Sequence, residues 1–381
     1  VYTEAGLVYA AAVGAGDLSL LRYDPAPEHP GLVKLLYGGV LLLSPSLWEG
    51  LGEGMGAEDP LPNPLPGGEG AEDPLPSPLP GGEGIRAASA VFGVLHVLLL
   101  ALVSPAAGAL LAVHSYTVKY SAQVYLEALP MFTATVCVLS YMAAGKSSRQ
   151  GREGSEERQA NSSLRPLPPS RPWRELFFWT ISAVALGLTA AGKYIYAVAG
   201  LAVAADALWR LAEARRPRGL LILLGWGGLA LLVFFAANPV LWPDPLGRLL
   251  DSLAFHTAYS QSAHVQQSGY PWYQPFVWLV APLPATWHPG IIVTPLDPLT
   301  AALGVVGLRP TWRSRAGRGR VVVLWWAIGL LFALLWPTKW PQYSLIMTAP
   351  MCLCAAAGLG RVVEWVKELT QRTPREQRAP S

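Results

Sequence analysis

The residues able to do chemistry in this chain are few, and they stand far apart in sequence. Glu4, Glu28 and Glu127 are carboxylates that could take up or deliver a proton or orient a hydroxyl. His29, Lys34, Lys193, His256 and Lys339 could hold an anion, with Tyr194, Asp244 and Tyr343 beside them in sequence or pattern. Most sit where an apolar run begins or ends rather than in the middle of one. A cation there can pair with a phosphate at the rim of the hydrocarbon, and Trp and Tyr faces can pack against sugar rings. Transfer of a sugar from a lipid-linked phosphate uses this combination: cations for the phosphate, a carboxylate base for an acceptor hydroxyl and aromatic faces for the ring.

Such residues need a scaffold, and composition names it. The 381 residues are 52% hydrophobic and only 14% charged, with 15 Trp, which is too apolar for a soluble domain and predicts an all-α polytopic membrane protein. The net charge of +3 is small, and the basic residues cluster in short links between apolar runs, which argues against nucleic acid as a partner. Cys137, Cys352 and Cys354 lie inside apolar segments at spacings that suit neither a disulfide framework nor a zinc site, so they are read as packing residues. No metal site is read; the Glu28-His29 pair leaves a divalent metal open, and no other cofactor is implied. The chain starts at Val1 without a signal-peptide pattern.

In order, residues 1–34 are expected to form an external loop and 35–46 a first membrane span. Residues 47–85 differ in kind. The segment AEDPLPNPLPGGEG at 57–70 recurs at 71–84, changed only from Asn63 to Ser77, and so much Pro and Gly predicts a disordered insertion. Residues 86–361 form the polytopic domain, in which the apolar piece 106–113 is too short to cross and is expected to be re-entrant or interfacial. Glu127 heads a span, residues 146–174 form a polar, basic loop, and Gly192-Lys193-Tyr194 divides one long apolar region into two short spans. Residues 238–290 form a long, aromatic, Pro-rich loop, and 362–381 a cytoplasmic tail. About nine spans result, given ~20 residues for each crossing.

The positive-inside rule orients them. With the N-terminal segment outside, Arg86, the 146–174 loop, 210–218, 309–320 and the tail fall on the cytoplasmic face. The site candidates then share the opposite surface, expected to be the outer face of a bacterial plasma membrane. An external N-terminus also predicts a further span before Val1.

Five elements resemble a known family. The order Glu4…Tyr9, Gly16-Asp17 and Glu28-His29-Pro30-Gly31-Leu32-Val33-Lys34 resembles the first external loop of GT-C glycosyltransferases of the protein O-mannosyltransferase and aminoarabinose-transferase type. YSAQVYLEALPMF with Glu127 resembles that family's second acidic motif, and LGLTAAGKY with Lys193 its Lys-Tyr span end. NPVLWPDPLGRL with Asp244, and TKWPQYSLIMTAP with Lys339 and Tyr343, are similar to its later elements in the same order. The resemblance implies sugar transfer from a polyprenyl-phosphate donor, within the lipid, to an external acceptor; sugar, carrier and acceptor (protein, lipid or glycan) stay open. One departure matters: the family opens its loop with Asp-Glu, whereas this chain has Thr3-Glu4. A threonine hydroxyl is no base near neutral pH, so Glu4, Glu28 or Glu127 supplies it or activity is impaired.

Plainer readings stand beside these. Glu127 could simply complement a helix N-terminus, Lys193 and Lys339 could snorkel, Asp244 between prolines suits a turn, and Glu4 and Asp17 suit a solvated loop. His256 and His264 could be surface residues, and His96 a packing residue in mid-span. A flippase or transporter of a lipid-linked substrate would place charges at mid-membrane and show internal symmetry; neither is evident in the sequence.

Overall fold

In hydrocarbon every backbone N–H and C=O must be satisfied within its own segment, and the apolar runs accordingly form helices. A computed structural model describes residues 2–24, 26, 29–42, 82–160, 171–214, 218–281, 296–314 and 319–376; it gives side chains for all of these except 2, 82–83, 145–160, 171–172, 218 and 371–376. Regular structure among the described residues is entirely helical. Five helical stretches are long and apolar enough to cross a membrane: Gly84–Val103, Trp173–Gly192, Tyr194–Ala214, Gly219–Ala236 and Pro341–Thr370. Shorter apolar helices are Leu32–Leu42, Ala128–Ala144 and Gly319–Leu335. These mark a membrane-embedded protein.

The helices are α1 (Tyr2–Ala15), α2 (Leu32–Leu42), α3 (Gly82–Val103), α4 (Pro105–Ala112), α5 (Ser115–Ala122), α6 (Ala128–Ala160), α7 (Arg171–Gly192), α8 (Val198–Ala214) and α9 (Arg218–Ala236). Then follow α10 (Pro245–Ser260), α11 (Ala263–Ser268), α12 (Gln274–Val280), α13 (Asp297–Trp312), α14 (Gly319–Leu335) and α15 (Leu345–Glu376). The short piece after Ser104 is α4, started by Pro105 and capped by the Ser104 hydroxyl, which accepts from the Ala107 N–H at 3.4 Å. The long apolar region divides at Lys193, as the sequence predicts.

Three segments differ from their sequence reading. The external loop is helical over Tyr2–Ala15, because Ala5, Tyr9, Ala10 and Ala12 are buried; a Cβ on Gly38 of α2 would lie 2.7 Å from the Ala10 nitrogen. The polar loop after Ala144 continues as helix α6 to Ala160, where Lys, Arg, Gln and Glu are good helix formers and no proline intervenes. The 238–290 loop carries α10 to α12. The duplicated insertion lies almost wholly outside the described residues, α3 starting at Gly82 rather than at 86, and residues 161–170, 282–290 and 377–381 of the expected loops and tail lie outside them too.

Helix direction positions the site. Phe92 lies 6.0 Å from Phe132 and His96 bonds Thr135 at 2.9 Å, so α3 and α6 run parallel, and α4 and α5 together return the chain between them. The Tyr37 hydroxyl bonds both Ser89 and the Tyr125 carbonyl, so Arg86 lies at the Glu127 end, not at the opposite face to which the count of crossings assigns it. Thr189 bonds Thr133 at 2.8 Å while Cys137 meets Ser182 at 3.5 Å, so α6 and α7 run antiparallel. A Cβ on Gly304 would lie 3.1 Å from Met351 and one on Gly307 1.7 Å from the Cys354 carbonyl, so α13 and α15 run parallel at backbone contact, with the antiparallel α14 between them in sequence. Lipid tails match apolar side chains in polarity, and close approach at small residues supplies packing in place of a hydrophobic drive. Much of α9 is left facing outward, with only 17% of Gly219–Ala236 buried. At one end of the bundle lie the start of α6 and the ends of α7, α9 and α14. At the other, Asp206 of α8, fully buried, accepts from Tyr141 at 2.7 Å, Arg210 at 2.6 Å and Arg320 at 2.5 Å.

Candidate functional site

At the first end, α2 starts immediately after Gly31 and carries Lys34 into full burial. An unpaired buried ammonium would be costly. Lys34 donates to Asp24 at 2.5 Å and to the Ala26 carbonyl at 2.6 Å, and Asp24 also accepts from the Ala26 N–H at 3.0 Å. The 310 turn Leu18–Tyr23, opened by the Asp17 side chain on the Ser19 N–H, brings Asp24 round to this point. The Gly31 N–H donates to Asn238 at 2.5 Å, tying the loop to the end of α9. The approach is close: a Cβ on Gly31 would lie 2.6 Å from the Tyr9 hydroxyl and 2.9 Å from the Asn238 oxygen, so any larger residue must displace those side chains.

A second pair forms where α6 begins and α7 ends. Lys193 donates to Glu127 Oε1, both side chains being buried. This is the only hydrogen bond of either terminal group among the described residues, so Glu127 Oε2 and two N–H bonds of Lys193 are uncommitted. The buried Tyr196 hydroxyl is uncommitted too, and Tyr37, Tyr120 and Tyr196 all lie in the field of Glu127.

The two pairs meet at His29. Its ring centroid lies 5.7 Å from that of His256 on α10, and His256 in turn lies 6.4 Å from Tyr194 and 6.4 Å from Trp336. Burial first, then the charges of Lys193 and Lys34 and the neighbouring His256, hold the His29 pKa well below its ordinary value. It is a neutral imidazole between two lysines at pH 7.

Of the residues singled out in the sequence, His29, Lys34, Glu127, Lys193, Tyr194 and His256 therefore come together. Glu28 lies outside the described residues. Glu4 occupies the exposed face of the first turn of α1. Asp244 caps α10, accepting from the Gly247 N–H at 3.0 Å, the turn role that its flanking prolines suggest. Lys339 donates to the carbonyls of Ala333 (3.0 Å), Leu334 (2.8 Å) and Trp336 (2.5 Å), so it closes the C-terminus of α14 and has its three N–H bonds engaged; burial lowers its pKa. The Tyr343 hydroxyl accepts from Thr338 at 3.2 Å. His96 bonds Thr135 at 2.9 Å, an inter-helix packing role, and the three cysteines are buried and unpaired. Among the described residues no three His, Cys, Asp or Glu gather as a metal site; His29 and His256 make only a pair.

Sequence reasoning missed Asp24 and Tyr196, and met Tyr9 and Asn238 only as motif residues without a place in the site. Asp24 precedes a proline and looks like any turn residue; only its ten-residue separation from a buried lysine, visible in three dimensions, marks it. Comparison with protein-family models, curated proteins and solved structures gives no match.

Proposed function

We propose that the chain is a GT-C-type glycosyltransferase that moves a sugar from a polyprenyl-phosphate donor to an acceptor on the outer face of the bacterial plasma membrane. In this reading α3, α6, α7, α8, α9, α13, α14 and α15 cross the bilayer, α4 and α5 together return the chain from the end of α3 to the start of α6, and the arginine-rich Asp206 end faces the cytoplasm. The observation that carries it is the set of buried, uncommitted groups around Glu127: one carboxylate oxygen, two lysine N–H bonds and a phenol. Such groups cost stability unless a ligand completes them. Beside them, an apolar groove of about 400 Å³ runs between α7, α8 and α9, from Trp226 to Tyr194 and Phe234. A prenyl chain fits its chemistry, and Tyr194 at one end is the neighbour of Lys193.

The step then reads as follows. The acceptor hydroxyl gives its proton to Glu127 Oε2 as its oxygen attacks the anomeric carbon. The bond from that carbon to the phosphate oxygen breaks, and the polyprenyl phosphate leaves with the electron pair. Lys193 steadies the growing negative charge; the neutral His29 imidazole, packed against His256, can donate or accept beside it. Glu127→Gln keeps the side-chain shape and removes the base. In proteoliposomes loaded with polyprenyl-phosphate hexose, transfer should fall about 100-fold or more, the usual worth of a general base. Unchanged transfer sinks the assignment.

A second reading, a relative that binds the lipid donor without catalysis, is favoured by Thr3 together with the exposed position of Glu4. Thr3→Asp separates the two: a gain of transfer in an otherwise silent chain supports the second, whereas an active parent unaffected by the change supports Glu127 as base.

A further inference from the structure

A separate cavity of about 450 Å³ lies between the 310 turn Leu18–Tyr23 and α10, lined by Arg22, Arg248, Asp251 and Ser252 against apolar Leu21 and Phe255. Its lining brings two guanidiniums together. Every carboxylate–cation contact of the Glu127, Asp24 and Asp206 clusters is paired, whereas neither Arg22 nor Arg248 makes an ion pair among the described residues, even though Asp251 lies one turn from Arg248. Arg22 spends one donor on the Tyr23 hydroxyl at 2.7 Å and lies 4.7 Å above that ring. Arg248 spends one on the Val240 carbonyl at 2.5 Å, a bond that fixes its stem against the end of α9. Each guanidinium carries five N–H donors in a planar fork, so most remain open, and the fork matches phosphate or carboxylate oxygens.

The remaining lining is suited to hydroxyls. Asp251 can only accept when ionised, and Ser252 can do both. Ser252 also bonds Tyr194, and His256, one turn along the same helix, touches Tyr194 and His29. The cavity is thus divided from the Glu127–Lys193 site by the Tyr194–Ser252 contact.

From this we infer that the cavity binds an anionic, polyhydroxylated molecule, its phosphate or carboxylate on Arg22 and Arg248 and its hydroxyls on Asp251 and Ser252. Resting on the transferase reading, this ligand is the acceptor, which makes the acceptor anionic rather than a neutral peptide hydroxyl. A soluble sugar phosphate and an anionic lipid headgroup share this chemistry.

The test uses the full chain in phosphatidylcholine nanodiscs, titrated calorimetrically with glucose 6-phosphate and with glucose. The expected result is binding of the phosphate alone, weakened about tenfold or more in Arg22→Ala, the worth of one charge-assisted hydrogen bond. Arg22 is exposed, so that variant folds; Arg248→Lys, which keeps the charge and loses the fork, should weaken binding as well. Phosphatidylglycerol added to the disc should displace the sugar phosphate if the natural ligand is a headgroup, and leave it bound if the ligand is soluble. Equal binding of glucose and glucose 6-phosphate, or no effect of Arg22→Ala, overturns the inference. No donor is present in this assay. A chain that binds through Arg22 but transfers nothing keeps the cavity and loses the transferase; a chain that transfers sugar while Arg22→Ala binds normally does the reverse.

Discussion

Glu127 and Lys193 each make the other tolerable in a buried place. Removing one partner leaves an uncompensated charge, a loss of roughly 3–5 kcal/mol, whereas removing both leaves none. Glu127→Gln and Lys193→Met should therefore each lower thermal stability in detergent strongly, and the double variant should lose much less than their sum; additive losses would show that the pair is not coupled. His29 sets a different dependence. Its folded pKa is depressed, so the unfolded chain binds the extra proton first on acidification. Its contribution is complete above the ordinary histidine range and is lost as pH falls below about 6.5, by up to ~1.4 kcal/mol per pH unit. Melts from pH 8 to 5 should slope less in His29→Asn than in the parent, and equal slopes would remove His29 from its place between Lys193 and Lys34. Glu127, Lys34 and Lys193 were legible in the sequence because a charged residue at the edge of an apolar run is rare and must be matched. Their partners were not: that Lys34 takes Asp24, and Lys193 takes Glu127, depends on a turn and on helix pairing that no local pattern encodes.

Between elements, the firmest polar joint is Asp206, which binds α6, α8 and α14 through Tyr141, Arg210 and Arg320. Arg320 also reaches Glu213 at 3.1 Å and lies 5.0 Å over the Trp209 ring. Glu213 is exposed, so its share is small, whereas Asp206 satisfies three donors in the interior. Asp206→Ala should cost about 3–5 kcal/mol and Glu213→Ala far less, read from melting midpoints; comparable losses would deny that burial decides the difference. The spans were legible because hydrocarbon admits helices alone, and Lys193 and Ser104-Pro105 announce their own breaks. Helix α1 was not: its Gly, Ala and Tyr residues give no clear periodicity, and it is the close backbone packing on Gly38 of α2 that accounts for its buried face.

Across the whole molecule, two charged ends are separated by the length of the bundle, and the transferase reading assigns them to opposite sides of the membrane. The Lys193 end carries α10 and α11; the Asp206 end carries Arg210 and Arg320, with Arg309 in the last turn of α13 and Arg313 just after it. From α11 the chain passes through α13, α14 and α15 before its C-terminal segment, an odd number of crossings if each of these spans, so the two ends of that path must face opposite compartments. Cysteine labelling can read this directly. The native Cys137, Cys352 and Cys354 are buried and give little background to a membrane-impermeant maleimide. Exposed Gln267 on α11 and Glu368 on α15 can be replaced at little structural cost. In intact cells Gln267→Cys should label and Glu368→Cys should not, the latter becoming reactive only on permeabilisation. The reverse pattern would put Glu127 and Lys193 on the cytoplasmic side, within reach of nucleotide-linked donors, and would remove the case for a polyprenyl-phosphate sugar. Labelling of both from outside would mean that one of α13, α14 and α15 does not cross, and the shorter α13 and α14 would then be the helices to revise.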